Sequence, residues 1–440
     1  MKKTWKAMLP IVLTIGIAAG CGGAGDGQAG VAQTDKSGKT AAENVELTWW
    51  VDAREDVQQT YQEIKAEFEN KNPNVKINMV KTSDDKINER ISIAVNTNQM
   101  PDVQQGSVFW PLTYAQKDLL APVDDLIDKA DFDDSALKSV QVNGKTYIYP
   151  NSTAAIGLLV NKDMFKEKGA VDLLPKNMGP WTTEQFKKAA KAVTDPAKQT
   201  YGFMLFAGNT AGDQMHHALL WGFGAKSWSD DGKKSLLNSP EGVEGLQFEI
   251  SLIDEGLVLP GAAGLTPDMN LFAQGKVGMM VGSIGNVPAV TKAFDGGAGK
   301  KFEIDLIPYP SKDGKKSNTV LFGYGTWIWN TKNAKKMEWS KKFVQFVNSK
   351  NNMAKMAKAE SVVTTRKSLA SDYPDGSLQK KTTQLFQYAG NIGLGVPGYS
   401  ETRNAFYPEL QAAYTKKKTA QQALDDYVKK ANEIIANASK

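Results

Sequence analysis

The chain has 440 residues, 41% hydrophobic and 23% charged, the profile of an ordinary soluble globular protein that is too long for one core. Its formal charge of +5 includes three lysines in the first six residues; removing them leaves +2, which gives no electrostatic case for nucleic acid. Two histidines and one cysteine leave little for a soft or borderline metal site, exclude an intramolecular disulfide, and no cofactor is expected.

Residues 1–20 begin with Lys2, Lys3 and Lys6, continue through an apolar run from Met8 to Ala19, and end in small residues. This is a secretory-signal layout, and the run is shorter than the roughly 20 residues a spanning helix needs. Ala18-Ala19-Gly20-Cys21 resembles the lipobox of bacterial lipoproteins, with Ala18 in the slot usually held by Leu and Ile17 one place back. That resemblance implies acylation of Cys21 and attachment to the membrane through its lipid alone, on the outer face of the cell. Residues 21–44, rich in Gly, Ala and polar residues, read as a flexible tether spanning roughly 25–30 Å.

Structured chain is expected from Val45. Val45, Leu47, Trp49 and Val51 alternate with Glu46, Thr48 and Trp50, a strand pattern. Val57, Tyr61, Ile64 and Phe68 step at helical spacing up to Asn72-Pro73. Val75, Ile77 and Met79 mark a second strand, Ile87, Ile91 and Val95 a second helix, and 101–103 opens a third strand. The alternation predicts a parallel, helix-covered sheet, whose ligands sit at the carboxyl ends of its strands. Asn143-Gly144 predicts a hairpin turn. Helices are expected from Thr182, where Thr182 and Gln185 fit a capping box, from Ser239-Pro240, and from Thr266-Pro267. Residues 277–281 and 303–307 read as buried strands, and 317–330 as strands with a glycine-rich bend. A helix with Trp339, Phe343, Phe346 and Val347 on one face follows, and a helix capped by Thr419 and Gln422 ends the chain.

Several segments together, ELTWWVDA, FENKNPNVKI, NTNQMPDVQQGS, VNGKTYIYP, LLVNKDMFKEKGA, ALLWGFGA, FAQGKVGMMVGS and LFGYGTWIWNTKNAKKMEWSKKFVQFV, resemble the extracellular solute-binding proteins of bacterial ABC importers, in the carbohydrate-binding cluster typified by maltose-binding protein. The resemblance implies a periplasmic-binding-protein-like α/β fold with two lobes, joined by crossing hinge strands, that close on a ligand and dock on a membrane permease. Transferred, the lobes are 45–153 with 309–348 and 154–308 with 349–440, and the crossings fall near 152–155, 307–309 and 348–351. A non-enzymatic, monomeric receptor for a small carbohydrate, an oligosaccharide by expectation, follows from it. The alternatives are the same fold holding an acidic or phosphorylated solute or a peptide, and a secreted carbohydrate-active enzyme, for which no acid/base pair can be placed.

Sugars need planar polar groups for their hydroxyls and aromatic rings for their C–H faces. By position, the candidates on the first strand rim are Trp50, Asp52 and Arg54, followed by Ser83, Gly106, Ser107 and Trp110. Asn151 follows the hairpin, just ahead of the first crossing. Trp221 and Ser283 stand where the resemblance puts the cleft, His217 is near enough to reach it, and Tyr324 lies between Gly323 and Gly325, a spacing that lets backbone approach a ligand. Trp327, Arg366 and Tyr399 complete the set. Trp49 is expected in the core, Trp181 and Trp339 are read as structural, and Trp329 shares cleft and core with Trp327. GLGVPG at 393–398 and GGAGKK at 296–301 lack the strand and spacing that phosphate loops require, and the adjacent His216 and His217 point to different helix faces, which suits no shared metal.

Overall fold

A computed structural model describes residues 43–82, 87–108, 111–209 and 212–439. The proposed leader, Cys21, almost all of the tether, Ser83 and Trp110 lie outside the described residues.

The first strand, β1 (Val45–Asp52), pairs in parallel and in register with β2 (Val75–Thr82), from Val45 opposite Val75 to Asp52 opposite Thr82. On its other side β1 meets β3 (Val103–Ser107), also in parallel. Between β1 and β2 the helix Glu55–Lys71 buries Val57, Tyr61, Ile64 and Phe68 against Trp49 and Phe343, at the helical spacing the sequence displays. β4 (Leu120–Ala121) follows, then the hairpin of β5 (Gln141–Val142) and β6 (Lys145–Thr146). Its turn holds Asn143 at φ 50° and Gly144 at φ 77°, both left-handed as a type I′ turn demands.

β7 (Ile148–Ala155) joins the first sheet, and one residue later β8 (Gly157–Asn161) starts the second. The second sheet adds β9 (Tyr201–Met204), β10 (Val277–Gly282) and β11 (Ile304–Ile307), in the order β11-β8-β10-β9. The chain then returns through β12 (Leu321–Trp329) and β13 (Val363–Thr364), giving a first sheet ordered β13-β7-β12-β3-β1-β2, with β4 beside β12.

The sheets are mixed rather than parallel as expected: β12 runs antiparallel to β3 and β7, and β8 antiparallel to β10 and β11. Chain that crosses between sheets re-enters from the opposite end, and so runs against the strands it joins. Residues 321–329 form a single strand, with a register shift at Tyr324 and Gly325 in place of a bend. The expected helix at Thr266-Pro267 begins later, at Met269, because Asp268 supplies the cap by accepting from the Asn270 amide.

Each sheet has its own core. Around the second, Leu158, Phe186, Phe203, Met279 and Leu306 are fully buried. One face of the first carries Trp49, Tyr61 and Phe343, and Met353, Met356 and β13 pack on this sheet too. Its other face carries Trp50, Trp327 and Trp329, in a cluster that also takes in Trp228 and Ile392. No helix among the described residues is long and apolar enough to cross a membrane.

Candidate functional site

The carboxyl ends of strands from both sheets converge on one cleft of ≈ 550 Å³. β1 leads into Arg54, β3 ends at Ser107, and β10 ends at Gly282 and leads into Ser283. β9 leads through 205–209, which brings Phe206 and Asn209 to the wall. β12 runs along the base and presents Phe322 and Tyr324, two residues apart and therefore on one face. Ala154 and Ile156 line the cleft where β7 passes into β8, and Gln214, Met269, Glu360, Val362 and Arg403 complete much of the wall.

Two guanidiniums reach this cleft, each tied to a buried carboxylate. Asp52 accepts from the Arg54 backbone amide at 2.9 Å and from its Nε at 2.7 Å, and the guanidinium lies 5.3 Å from the centre of the Tyr324 ring. Arg403 grips Asp213 with two bonds, Nε to Oδ2 at 2.6 Å and a terminal nitrogen to Oδ1 at 3.0 Å. Burial pushes the Asp213 carboxyl up from its ordinary value against the opposing pull of Arg403. Glu360 accepts from the Tyr61 hydroxyl at 3.0 Å and the Ser152 hydroxyl at 2.7 Å, and its burial raises its carboxyl despite those bonds and the charge of Arg54. The two cations thus stand among three acids, Asp52, Asp213 and Glu360, and the wall has no surplus of positive charge among the described residues.

Arg54, Ser107, Ser283 and Tyr324 line the cleft, and Asp52 stands directly behind Arg54. Ser283 caps the turn that follows β10, accepting from the Gly285 amide at 3.2 Å. Tyr399 lies one layer back, its hydroxyl 3.4 Å from Asp213 and its ring under Arg403.

The structure puts the remaining candidates elsewhere. Trp50 is buried under the Arg90 guanidinium, 4.4 Å from its ring. Gly106 faces the ring of Trp327, which is itself buried in the cluster beneath the sheet, as is Trp329. Asn151 is wholly buried and donates to Thr326 and Asn348. Arg366 donates to Asp131 and to the Tyr149 hydroxyl, both at 2.8 Å, and covers the Phe132 ring, tying the segment after β13 to the first sheet. His217 and Trp221 share the Ser227 hydroxyl at 2.7 Å each, and burial pushes the His217 imidazole down to about 3. Gly325 serves packing: a Cβ there would stand 2.3 Å from Ile148 Cγ2 and 2.8 Å from the Tyr149 carbonyl.

Sequence reasoning missed Glu360, Arg403 and Phe322. Phe322 alternates with Tyr324 and was available from that period. Glu360 and Arg403 find their partners 208 to 299 and 190 residues away, so no local spacing marks them.

A family model described as bacterial extracellular solute-binding protein matches residues 63–385. A putative binding protein of Brucella abortus (strain 2308) is 24% identical over 382 residues, 85% of this chain and 89% of that protein. The crystal structure of a cyclic α-maltosyl-1,6-maltose binding protein from Arthrobacter globiformis superposes with a TM-score of 0.75 at 20% identity, covering 90% of this chain and all of that one. An ABC transporter solute-binding protein from Thermotoga lettingae bound with α-D-tagatose superposes at 0.72 with 23% identity, covering 89% of this chain and 100% of its own.

Proposed function

The chain belongs to the bacterial extracellular solute-binding proteins, and we propose that it captures an uncharged sugar, an oligosaccharide in its natural setting, for delivery to an ABC permease. The observation that carries the reading is the cleft wall: guanidiniums already balanced by Asp52, Asp213 and Glu360, beside the apolar faces of Phe322, Tyr324 and Met269. Paired charges offer an anion little net attraction, while the rings suit the C–H faces of a pyranose. The relatives whose structures carry sugars in their names support the same class. A micromolar site needs about −8 kcal/mol net, within reach of a few charge-assisted hydrogen bonds and one or two stacked rings.

In this reading the two lobes close about the crossings, the monomer is held to the outer face of the cell membrane by lipid on Cys21, and the bound sugar passes to the permease without chemistry. The packing of Met353, Met356 and β13 on the first sheet supports a third crossing after Thr364 rather than at 348–351.

A thermal-shift screen against monosaccharides and defined oligosaccharides tests the ligand class, since a solute bound only by the native state raises the melting temperature. A saccharide hit whose affinity changes less than about twofold between low and high salt supports an uncharged ligand. The two cleft arginines favour a second reading, an acidic or phosphorylated solute. It predicts hits only among anions and an affinity that falls steeply with salt. Cys21→Ser, expressed in the native host, is expected to release the protein into the medium; retention at the membrane would overturn the anchor.

A further inference from the structure

His216 lies next to His217 on the same helix, in surroundings of its own. The side chain is fully buried on the helix Asp213–Trp221. Its Nε2 lies 3.0 Å from the Phe206 carbonyl, which can only accept, so Nε2 carries the hydrogen and donates. Its Nδ1 lies 3.1 Å from both carboxylate oxygens of Glu249, itself fully buried, and Glu249 also accepts from the Tyr414 hydroxyl at 2.6 Å. Three ionisable or hydroxyl-bearing groups have thus been taken out of water to aim one N–H at one carbonyl. Replacing such a network by apolar groups is often neutral in stability, whereas a satisfied network rigidifies the parts it joins.

The geometry specified here belongs to the cleft. Phe206 lies in the segment 205–209 that carries Asn209 to the wall, and the helix bearing His216 starts with Asp213, the partner of Arg403, and with Gln214. We propose that His216, oriented by Glu249 and Tyr414, is a positioning residue that clamps segment 205–209 to the start of helix Asp213–Trp221 and thereby sets the shape of the cleft wall. The inference rests on the cleft being the ligand site but not on which solute fills it. The segment has other ties, Gln411 to the Ala207 carbonyl and the amides of Ala207 and Gly208 to Ala262 and Leu265, and those amides report on its opening.

The test compares two conservative variants of the full-length protein. In His216→Gln the longer amide reaches the Phe206 carbonyl, whereas in His216→Asn the shorter one reaches only Glu249. Hydrogen exchange without added solute is expected to be near wild type at 205–209 in H216Q and at least about tenfold faster in H216N, with β1 and β2 unchanged in both. Titration with the saccharide that most stabilises the wild type should show the same order, an affinity loss of about tenfold in H216N and little in H216Q. Equal exchange in the two variants overturns the clamp, and so does acceleration spread evenly over the molecule. A second variant, His216→Leu with Glu249→Leu, leaves no buried carboxylate unpaired and is expected to match H216N at 205–209. If no saccharide stabilises the wild type, the ligand class proposed above falls, while the exchange data still decide the clamp.

Discussion

Both carboxylate oxygens of Asp52 are taken by the residue two places on, so the direction of the Arg54 guanidinium is set within a three-residue turn at the end of β1. Asp52→Ala is therefore expected to weaken saccharide binding by about tenfold to a hundredfold, the range of one lost charge-assisted bond, measured by calorimetric titration. His217 makes a pH prediction. Its imidazole is held down to about 3 by burial, against an ordinary 6.5, so between those limits the unfolded chain binds a proton that the native one does not. Stability from this group is complete above pH 6.5 and is lost as pH falls toward 3, on the order of a few kcal/mol in all. The wild-type melting temperature should then fall more steeply from pH 7 to pH 4 than that of His217→Gln; parallel slopes would remove His217 as the cause. At this scale the sequence was partly legible. Arg54, Ser107, Ser283 and Tyr324 could be placed because each follows or sits in a recognisable strand whose end points to the cleft. Trp50 and Trp327 could not, because both faces of the first sheet are covered, and alternation then separates two buried faces rather than core from cleft.

At the scale of elements, legibility followed the range of the interaction that fixes each boundary. The capping boxes at Thr182 and Thr419 are made within four residues, and the hairpin at Asn143-Gly144 within two, and all three form as read. The register shift in β12 depends instead on β7, some 170 residues earlier, and no local pattern in 317–330 announces it. The same neighbour explains Gly325 but not Gly323. Ile148 Cγ2 and the Tyr149 carbonyl occupy the space a Gly325 side chain would need, whereas the nearest atom to a Cβ on Gly323 is Val108 Cγ2 at 3.4 Å, an ordinary contact. Gly325→Ala is expected to cost about 1–3 kcal/mol through overpacking, while Gly323→Ala stays close to wild type in thermal melting. Equal melting temperatures would mean that β7 yields at the shift and that packing does not require the glycine.

For the whole molecule, strand–helix alternation was enough to announce an α/β architecture, but crossing strands, which return the chain to a sheet it has left, are invisible to local periodicity and decide where the cleft lies. The arrangement has a thermodynamic consequence. Arg54, Ser107 and Tyr324 come from the first sheet, Ser283, Asn209 and Gln214 from elements of the second, so a solute held in the cleft has both sets in its walls. A ligand shifts a conformational equilibrium only by its differential affinity for the two forms, and the closure proposed above draws that difference from the contacts one set adds to the other. Saturating saccharide is therefore expected to reduce the radius of gyration in small-angle scattering. Asp52→Ala weakens one side of the site without touching the crossings, so at proportionally higher saccharide it should reach the same compact curve as the wild type. A wild type that binds saccharide with an unaltered scattering curve would show that the site is complete in one arrangement of the sheets and that capture needs no closure. A variant that saturates but stays expanded would instead make the Arg54 fork the contact that holds the closed form.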